Sequence, residues 1–215
     1  MLRKVIPTVF AKNKKQFRKR LRRFLKLNRD LQIDFMDGKF VRNKGLNVKD
    51  VPDLSRYKIK FEAHLMTLNP SLYVKDLRNK GFRKVIFHYE AVNDKDKVLG
   101  LIFYIHTQGM KAIVALNPEN DIDEIKDVLN YVDGVLFMGV HPGRENQKFI
   151  SKIYRKIRAL RRINKKIMVQ VDGGVDLKSA GKLRKLKVNV INTGSFIFES
   201  EDPKAALNDL EKVFR

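Results

Sequence analysis

The sequence predicts an α/β chain folded as one (β/α)8 TIM barrel spanning residues 1–215. Three observations predict it. Eight short runs rich in β-branched and aromatic residues recur along the chain, they read as continuously apolar instead of alternating, and amphipathic stretches of helical period separate them. Continuous apolar strands alternating with helices imply a parallel sheet covered by helices, and eight such units in 215 residues suit a barrel near the small end of its range. An open doubly wound sheet is the alternative. The absence of any Ser/Gly-rich linker or low-complexity stretch leaves one domain.

Taken in order, the predicted strands cover residues 5–10, 31–35, 59–66, 84–88, 112–116, 134–140, 167–171 and 188–191. The first predicted helix, 14–27, places Phe17, Leu21, Phe24 and Leu25 on one face with Lys and Arg opposite, so it lies on a core. The same spacing predicts helices over 72–77, 98–106, 122–128, 149–160, 177–183 and 205–213.

Composition narrows the chemistry. The chain has no Cys, which removes disulfides, thiolate zinc sites, iron–sulfur clusters and Cys nucleophiles, and leaves carboxylates, His, Lys or a metal held by oxygen and nitrogen. No apolar run approaches the roughly 20 residues of a spanning helix, and the basic start lacks a secretory pattern, so a cytoplasmic protein without membrane contact is expected. Against 24 acidic residues stand 46 Lys and Arg, a formal charge of +22 that favours anionic ligands. The bases concentrate in 12–29, 152–166 and 178–187. Nucleic-acid binding through these helices is a competing reading, but no helix-turn-helix, zinc finger or aromatic-studded basic motif accompanies them, so it is not the expected main role.

Barrel enzymes gather chemistry at the carboxyl ends of their strands. Those ends hold Thr8, Gln32 with Asp34, His64, His88 with Glu90, Asn117, Met138 with His141, Asp172, and 192–195. Asp34 and Asp172 are set in apolar strands, where an unpaired carboxylate costs several kcal/mol to bury. Converging with His64, they form an oxygen and nitrogen set suited to a divalent metal. Gly173-Gly174 follows the seventh strand and Gly194-Ser195 the eighth. These are the positions where backbone N–H groups and a helix start cradle phosphate in such barrels.

These residues resemble the ribulose-phosphate 3-epimerase family, metal-dependent barrels of the ribulose-phosphate-binding type. The similarity runs collinearly through Ile6-Pro7-Thr8, Ile33-Asp34-Phe35-Met36-Asp37-Gly38, His64-Leu65-Met66, Phe87-His88-Tyr89-Glu90, Leu116-Asn117-Pro118, Pro142-Gly143 and Val171-Asp172-Gly173-Gly174-Val175. The resemblance implies Asp34 and Asp172 as the catalytic acids and metal ligands, and His64 as a further ligand. It implies Met36, Met66 and Met138 beneath the reacting carbons, and Thr8 in place of the family's serine. Gly143 falls in the substrate loop and Gly173, Gly174, Gly194 and Ser195 in the phosphate loops. It also implies a sugar-phosphate substrate, a homo-oligomer and a zinc, iron, manganese or cobalt ion.

Two departures stand out. Gln32 occupies the place of the family's first metal-binding histidine, and as a carbonyl donor it shifts preference toward harder ions. Arg144-Glu145-Asn146 replaces a glycine-rich stretch in the closing loop. The expected reaction is interconversion of D-ribulose 5-phosphate and D-xylulose 5-phosphate by two-Asp proton transfer through an enediolate. The alternatives are another ketose phosphate, such as allulose 6-phosphate, or an impaired barrel that binds sugar phosphate or nucleic acid without turnover.

Overall fold

Strands that are apolar on both sides need cover on both, and a closed ring wrapped in helices supplies it. The computed structural model describes residues 3–215 and has that form. Strands β1 (Lys4–Val9), β2 (Leu31–Met36), β3 (Phe61–Met66), β4 (Lys84–His88), β5 (Lys111–Leu116), β6 (Gly134–Met138), β7 (Met168–Asp172) and β8 (Val190–Thr193) pair in parallel in sequence order. The ring closes where β8 returns to β1, with Val5 opposite Ile191. Helices α1 (Lys14–Leu25), α2 (Val74–Asn79), α3 (Tyr89–Val92), α4 (Lys95–Thr107), α5 (Ile153–Ile163), α6 (Leu177–Lys185), α7 (Ser195–Phe198) and α8 (Pro203–Phe214) follow their strands.

Local chemistry sets the helix starts. The Asn13 side chain accepts from Gln16 N–H at the head of α1, and Asp94 accepts from Lys97 N–H at the head of α4. Asp176 and Ser179 cap α6 reciprocally.

Several boundaries differ from those predicted. The third strand begins at Phe61 because Asp30 takes Lys60 N–H at 3.0 Å in the preceding loop. The sixth ends at Met138, whose pairing with Asp172 is the last of the ladder; beyond it the Gly139 carbonyl accepts from Ile150 N–H at 2.8 Å. The stretch Ile122–Val128 winds as a tighter 3₁₀ helix, and α5 starts four residues late because Ile150 N–H is held by the Gly139 carbonyl. Helices α3 and α7 were not predicted; each is a single turn immediately after a strand.

Phe17, Phe24, Phe35, Phe87, Phe137 and Phe214 are fully buried in the large cluster that packs the helices on the sheet. Inside the ring lie Ile86, Ile113, Ala115, Leu136, Met138 and Val140. The interior also holds a buried polar group. Lys84 Nζ meets Glu62 Oε2 at 2.5 Å, and Glu62 Oε1 accepts from Gln170 and Asn192 at 3.0 and 2.6 Å. The charge of Glu62 is thus both paired and hydrogen-bonded, which is what makes its burial tolerable.

Candidate active site

Register brings the polar residues together. Asp34 lies opposite His64 across β2 and β3, Thr8 opposite Gln32 across β1 and β2, and Met138 opposite Asp172 across β6 and β7. His64 Nδ1 stands 3.2 Å from Asp34 Oδ1 and 3.3 Å from Asp172 Oδ2. Gln32 Nε2 donates to Asp34 Oδ1 at 3.0 Å and Asp172 Oδ2 at 2.5 Å, and lies 3.3 Å from Thr8 Oγ1. Two buried carboxylates therefore share two nitrogen bridges.

Their charges shape one another. Burial pushes Asp34 up to about 6, with the charge of Asp172 adding to the rise and His64 opposing it. Burial also disfavours a charged His64, yet hydrogen bonds and charges from Asp172 and Asp34 overcome it and push the imidazole up to about 10.

Behind the site a second imidazole continues the chain of contacts. His64 Nε2 lies 3.0 Å from His88 Nε2, so the two nitrogens share one bridging proton. The rings stack with centroids 5.1 Å apart. His88 Nδ1 faces Glu90 Oε2 at 3.5 Å, and Glu90 Oε1 accepts from Asn117 N–H at 2.7 Å. Burial holds His88 below the ordinary range. His88 and Glu90 were visible in the sequence as polar residues at a strand end, but their position behind His64 depends on the β3–β4 register.

The residues suit a divalent ion. One donor atom from each of Asp34, His64 and Asp172 lies within 4.8 Å of the others. Gln32 Oε1 is buried without a partner. Rotating that amide by half a turn puts a carbonyl oxygen where Nε2 now bridges the carboxylates. Two carboxylates, one imidazole and one amide oxygen form a set accepted by several first-row ions.

Asp34, His64 and Asp172 line a cavity of about 60 Å³ at the mouth. Thr8, Met66, Met138 and Gly143 border it, and Gly173, Gly174, Gly194 and Ser195 complete its far side. Gly173 and Gly174 adopt φ of +94° and +66°, and a side chain on Gly174 would come within 2.9 Å of Phe149 N. Gln32 lies below the cavity. Met36 packs with Phe10, Val41 and Met66, of which Phe10 and Met66 line the cavity, and leans toward Gly45, where the missing side chain leaves it room.

The loop over the mouth is tied down by contacts that the sequence did not disclose. Glu145 Oε1 meets Arg20 Nη1 of α1 at 2.6 Å, and the same guanidinium lies 4.3 Å from the Phe198 ring centre. Asn146 Nδ2 donates to Glu199 at 2.9 Å, and Asn43 Nδ2 to the Gly143 carbonyl at 2.8 Å. His141 stays exposed, 3.1 Å from Glu119.

A sequence model described as the ribulose-phosphate 3 epimerase family matches residues 4–198. Ribulose-phosphate 3-epimerase of Schizosaccharomyces pombe is 30% identical over 212 residues, covering 96% of this chain and 92% of its own. That of Methanocaldococcus jannaschii is 34% identical over 188 residues, covering 84% and 77%. Among solved structures, 3-hexulose-6-phosphate synthase from Salmonella typhimurium superposes with a TM-score of 0.75 over 98% of each chain at 14% identity, which supports the barrel fold alone.

Proposed function

The chain belongs to the ribulose-phosphate 3-epimerase family of isomerases, and on that premise we propose that it interconverts D-ribulose 5-phosphate and D-xylulose 5-phosphate, with Asp34 and Asp172 moving the C3 proton. The observation that carries this reading is the pair of buried carboxylates bordering one cavity and bridged by Gln32 Nε2 and His64 Nδ1.

Inversion next to a carbonyl requires removal of a proton from one face and delivery of a proton to the other, through an enediolate. One carboxylate accepts while the other, protonated, donates, and the roles exchange in the reverse direction. Burial raises Asp34 toward the protonated form that a proton donor needs. Asp34, His64, Asp172 and the Gln32 carbonyl oxygen would hold a divalent ion, manganese, iron, cobalt or zinc. When bound it supplies Lewis-acid charge for the developing oxyanion.

Met66 and Met138 offer polarizable apolar cover beside the reacting carbons. Thr8 limits the swing of Gln32. The amides of Gly173, Gly174, Gly194 and Ser195 receive the phosphate. The Pro142–Gln147 loop lines the same cavity, where it can close over a bound sugar phosphate. Among the described residues no helix is long and apolar enough to cross a membrane, and a rice relative is named a cytoplasmic isoform; the reading places this protein in the cytoplasm.

Metal-stripped protein in heavy water with D-ribulose 5-phosphate and each ion in turn tests the proposal. Metal-dependent deuterium entry at C3 together with xylulose 5-phosphate is the expected result. Absence of exchange from folded, metal-loaded protein would sink the assignment.

A further inference from the structure

The formal charge of +22 is not explained by an anionic substrate, because the surplus lies away from the mouth. In a parallel barrel the strands' carboxyl ends form the mouth, and the helices' carboxyl ends surround the opposite, lower face. The mouth loops carry Glu119, Asp121, Glu145, Asp176, Glu199 and Asp202. Between 146 and 198 the only acidic residues are Asp172 and Asp176, both on the mouth side.

At the lower ends of α5 and α6, by contrast, Arg162, Lys165, Lys166, Arg184, Lys185 and Lys187 are all exposed, and none of them makes an ion pair among the described residues. Backbone clasps join these stretches into one surface. Arg161 Nη1 donates to the Ile167 carbonyl at 2.7 Å, and its Nη2 to the Lys187 carbonyl at 2.8 Å and Asn189 Oδ1 at 3.0 Å. Arg3 reaches the carbonyls of Arg184 and Arg215 at 3.4 and 3.0 Å, so the ends of α6 and α8 meet beside β1.

Helix dipoles favour a cation or two in each last turn. They do not account for Lys165 and Lys166, which lie past the end of α5, or for Lys187, which lies past α6 at φ of +57°, where glycine is the ordinary occupant. Like charges left unneutralised on one fixed surface repel, and a polyanion relieves the repulsion.

We propose that this lower face is a docking surface for the phosphate backbone of nucleic acid, held by charge without base reading. Repeated phosphates match a row of Lys and Arg heads by releasing condensed counter-ions. A membrane fits less well, because Ile163 is the one large apolar side chain exposed at the lower ends of these two helices, too little for insertion. The surface is separate from the mouth, so binding and epimerisation are independent properties.

The test is fluorescence anisotropy of the full chain with a labelled mixed-sequence duplex and a single-stranded RNA of about 20 nucleotides, over a range of KCl. Six phosphate contacts predict a log–log salt slope of about −5 on duplex, and a loss of roughly 10³ in affinity between about 50 and 200 mM salt. Changing Lys165, Lys166, Arg184, Lys185 and Lys187 to Glu should abolish binding at physiological salt while melting temperature and epimerase rate are kept. The same charge change at Lys12, Lys14, Lys15, Lys95 and Lys97, at the mouth-side starts of α1 and α4, should leave most of the affinity. Three results would overturn the proposal: a wild-type Kd weaker than about 100 μM near physiological salt; equal loss in both variants, which would make the effect one of total charge; or retention on phosphatidylserine vesicles without nucleic-acid binding.

Discussion

The side-chain nitrogen of Gln32 lies 2.5 Å from Oδ2 of Asp172, which makes an uncharged amide the link between two acids on strands β2 and β7. The same group, turned over, would offer a metal its carbonyl oxygen, and on that proposal residue 32 sets both the spacing of the acids and the choice of ion. Gln32→His should raise affinity for zinc relative to manganese by about tenfold or more, equivalent to about 1.4 kcal/mol. Competition titrations with a chromogenic chelator read this directly, and an unchanged zinc-to-manganese ratio would show that Gln32 does not contact the ion.

Asp34→Asn and Asp172→Asn each remove one half of the proposed proton-transfer pair while keeping shape. Loss of turnover by about 10²–10⁴ is expected for each. Solvent-deuterium exchange separates them: a variant that still exchanges one epimer's C3 proton without forming product has lost only its partner acid.

In metal-stripped protein His64 stabilises the fold as an imidazolium. Its raised pKa means that this contribution is fully present below the ordinary value of 6.5 and is lost as pH rises through about 10. The raised Asp34 acts in the opposite sense, subtracting stability as pH climbs from 3.8 toward about 6. Urea midpoints of wild type and His64→Gln should therefore differ most near pH 6 to 7 and converge above about pH 10. A constant gap across that span would contradict the ion pair.

His88 and Glu90 hold His64 from behind. His88→Phe preserves an aromatic ring but removes the partner of Nε2, and a loss of about 10–100-fold in metal affinity is expected, as for other groups that orient a ligand. Equilibrium dialysis with unchanged melting behaviour distinguishes this from simple loss of packing.

Arg20 and Glu145 clamp the mouth loop from α1. Glu145→Gln weakens the clamp, so substrate should enter and leave faster while the closed state is less populated. The expected signature is a higher KM with a smaller change in kcat, and Arg20→Lys should reproduce it in part. Identical steady-state constants would show that the pair plays no part in gating.

Much of this was legible in the chain. Asp34 and Asp172 stand out because each interrupts an apolar strand, and the period of the strands told which end they occupy. What the sequence could not supply were contacts set by side-chain reach. The 125-residue separation of Arg20 and Glu145 leaves no local pattern, and the role of His88 depends on which neighbour β4 pairs with. Met36 shares the inward parity of Asp34, but only the structure shows that the gap left by Gly45 receives the end of its flexible side chain. The 3₁₀ winding of Ile122–Val128 likewise leaves no mark in the apolar spacing, which a looser helix would satisfy equally.

The closure of β8 onto β1 also sets a timetable for synthesis. Val5 cannot meet Ile191 until nearly the whole chain has left the ribosome, and at roughly 5–20 residues per second that wait is about 10 to 40 s. During it the first strand, Val5, Ile6 and Val9 included, has no neighbour on one side, and the barrel cannot complete by adding units one at a time. The last strand to be made is the one that turns an open, sticky sheet into a ring with no edge.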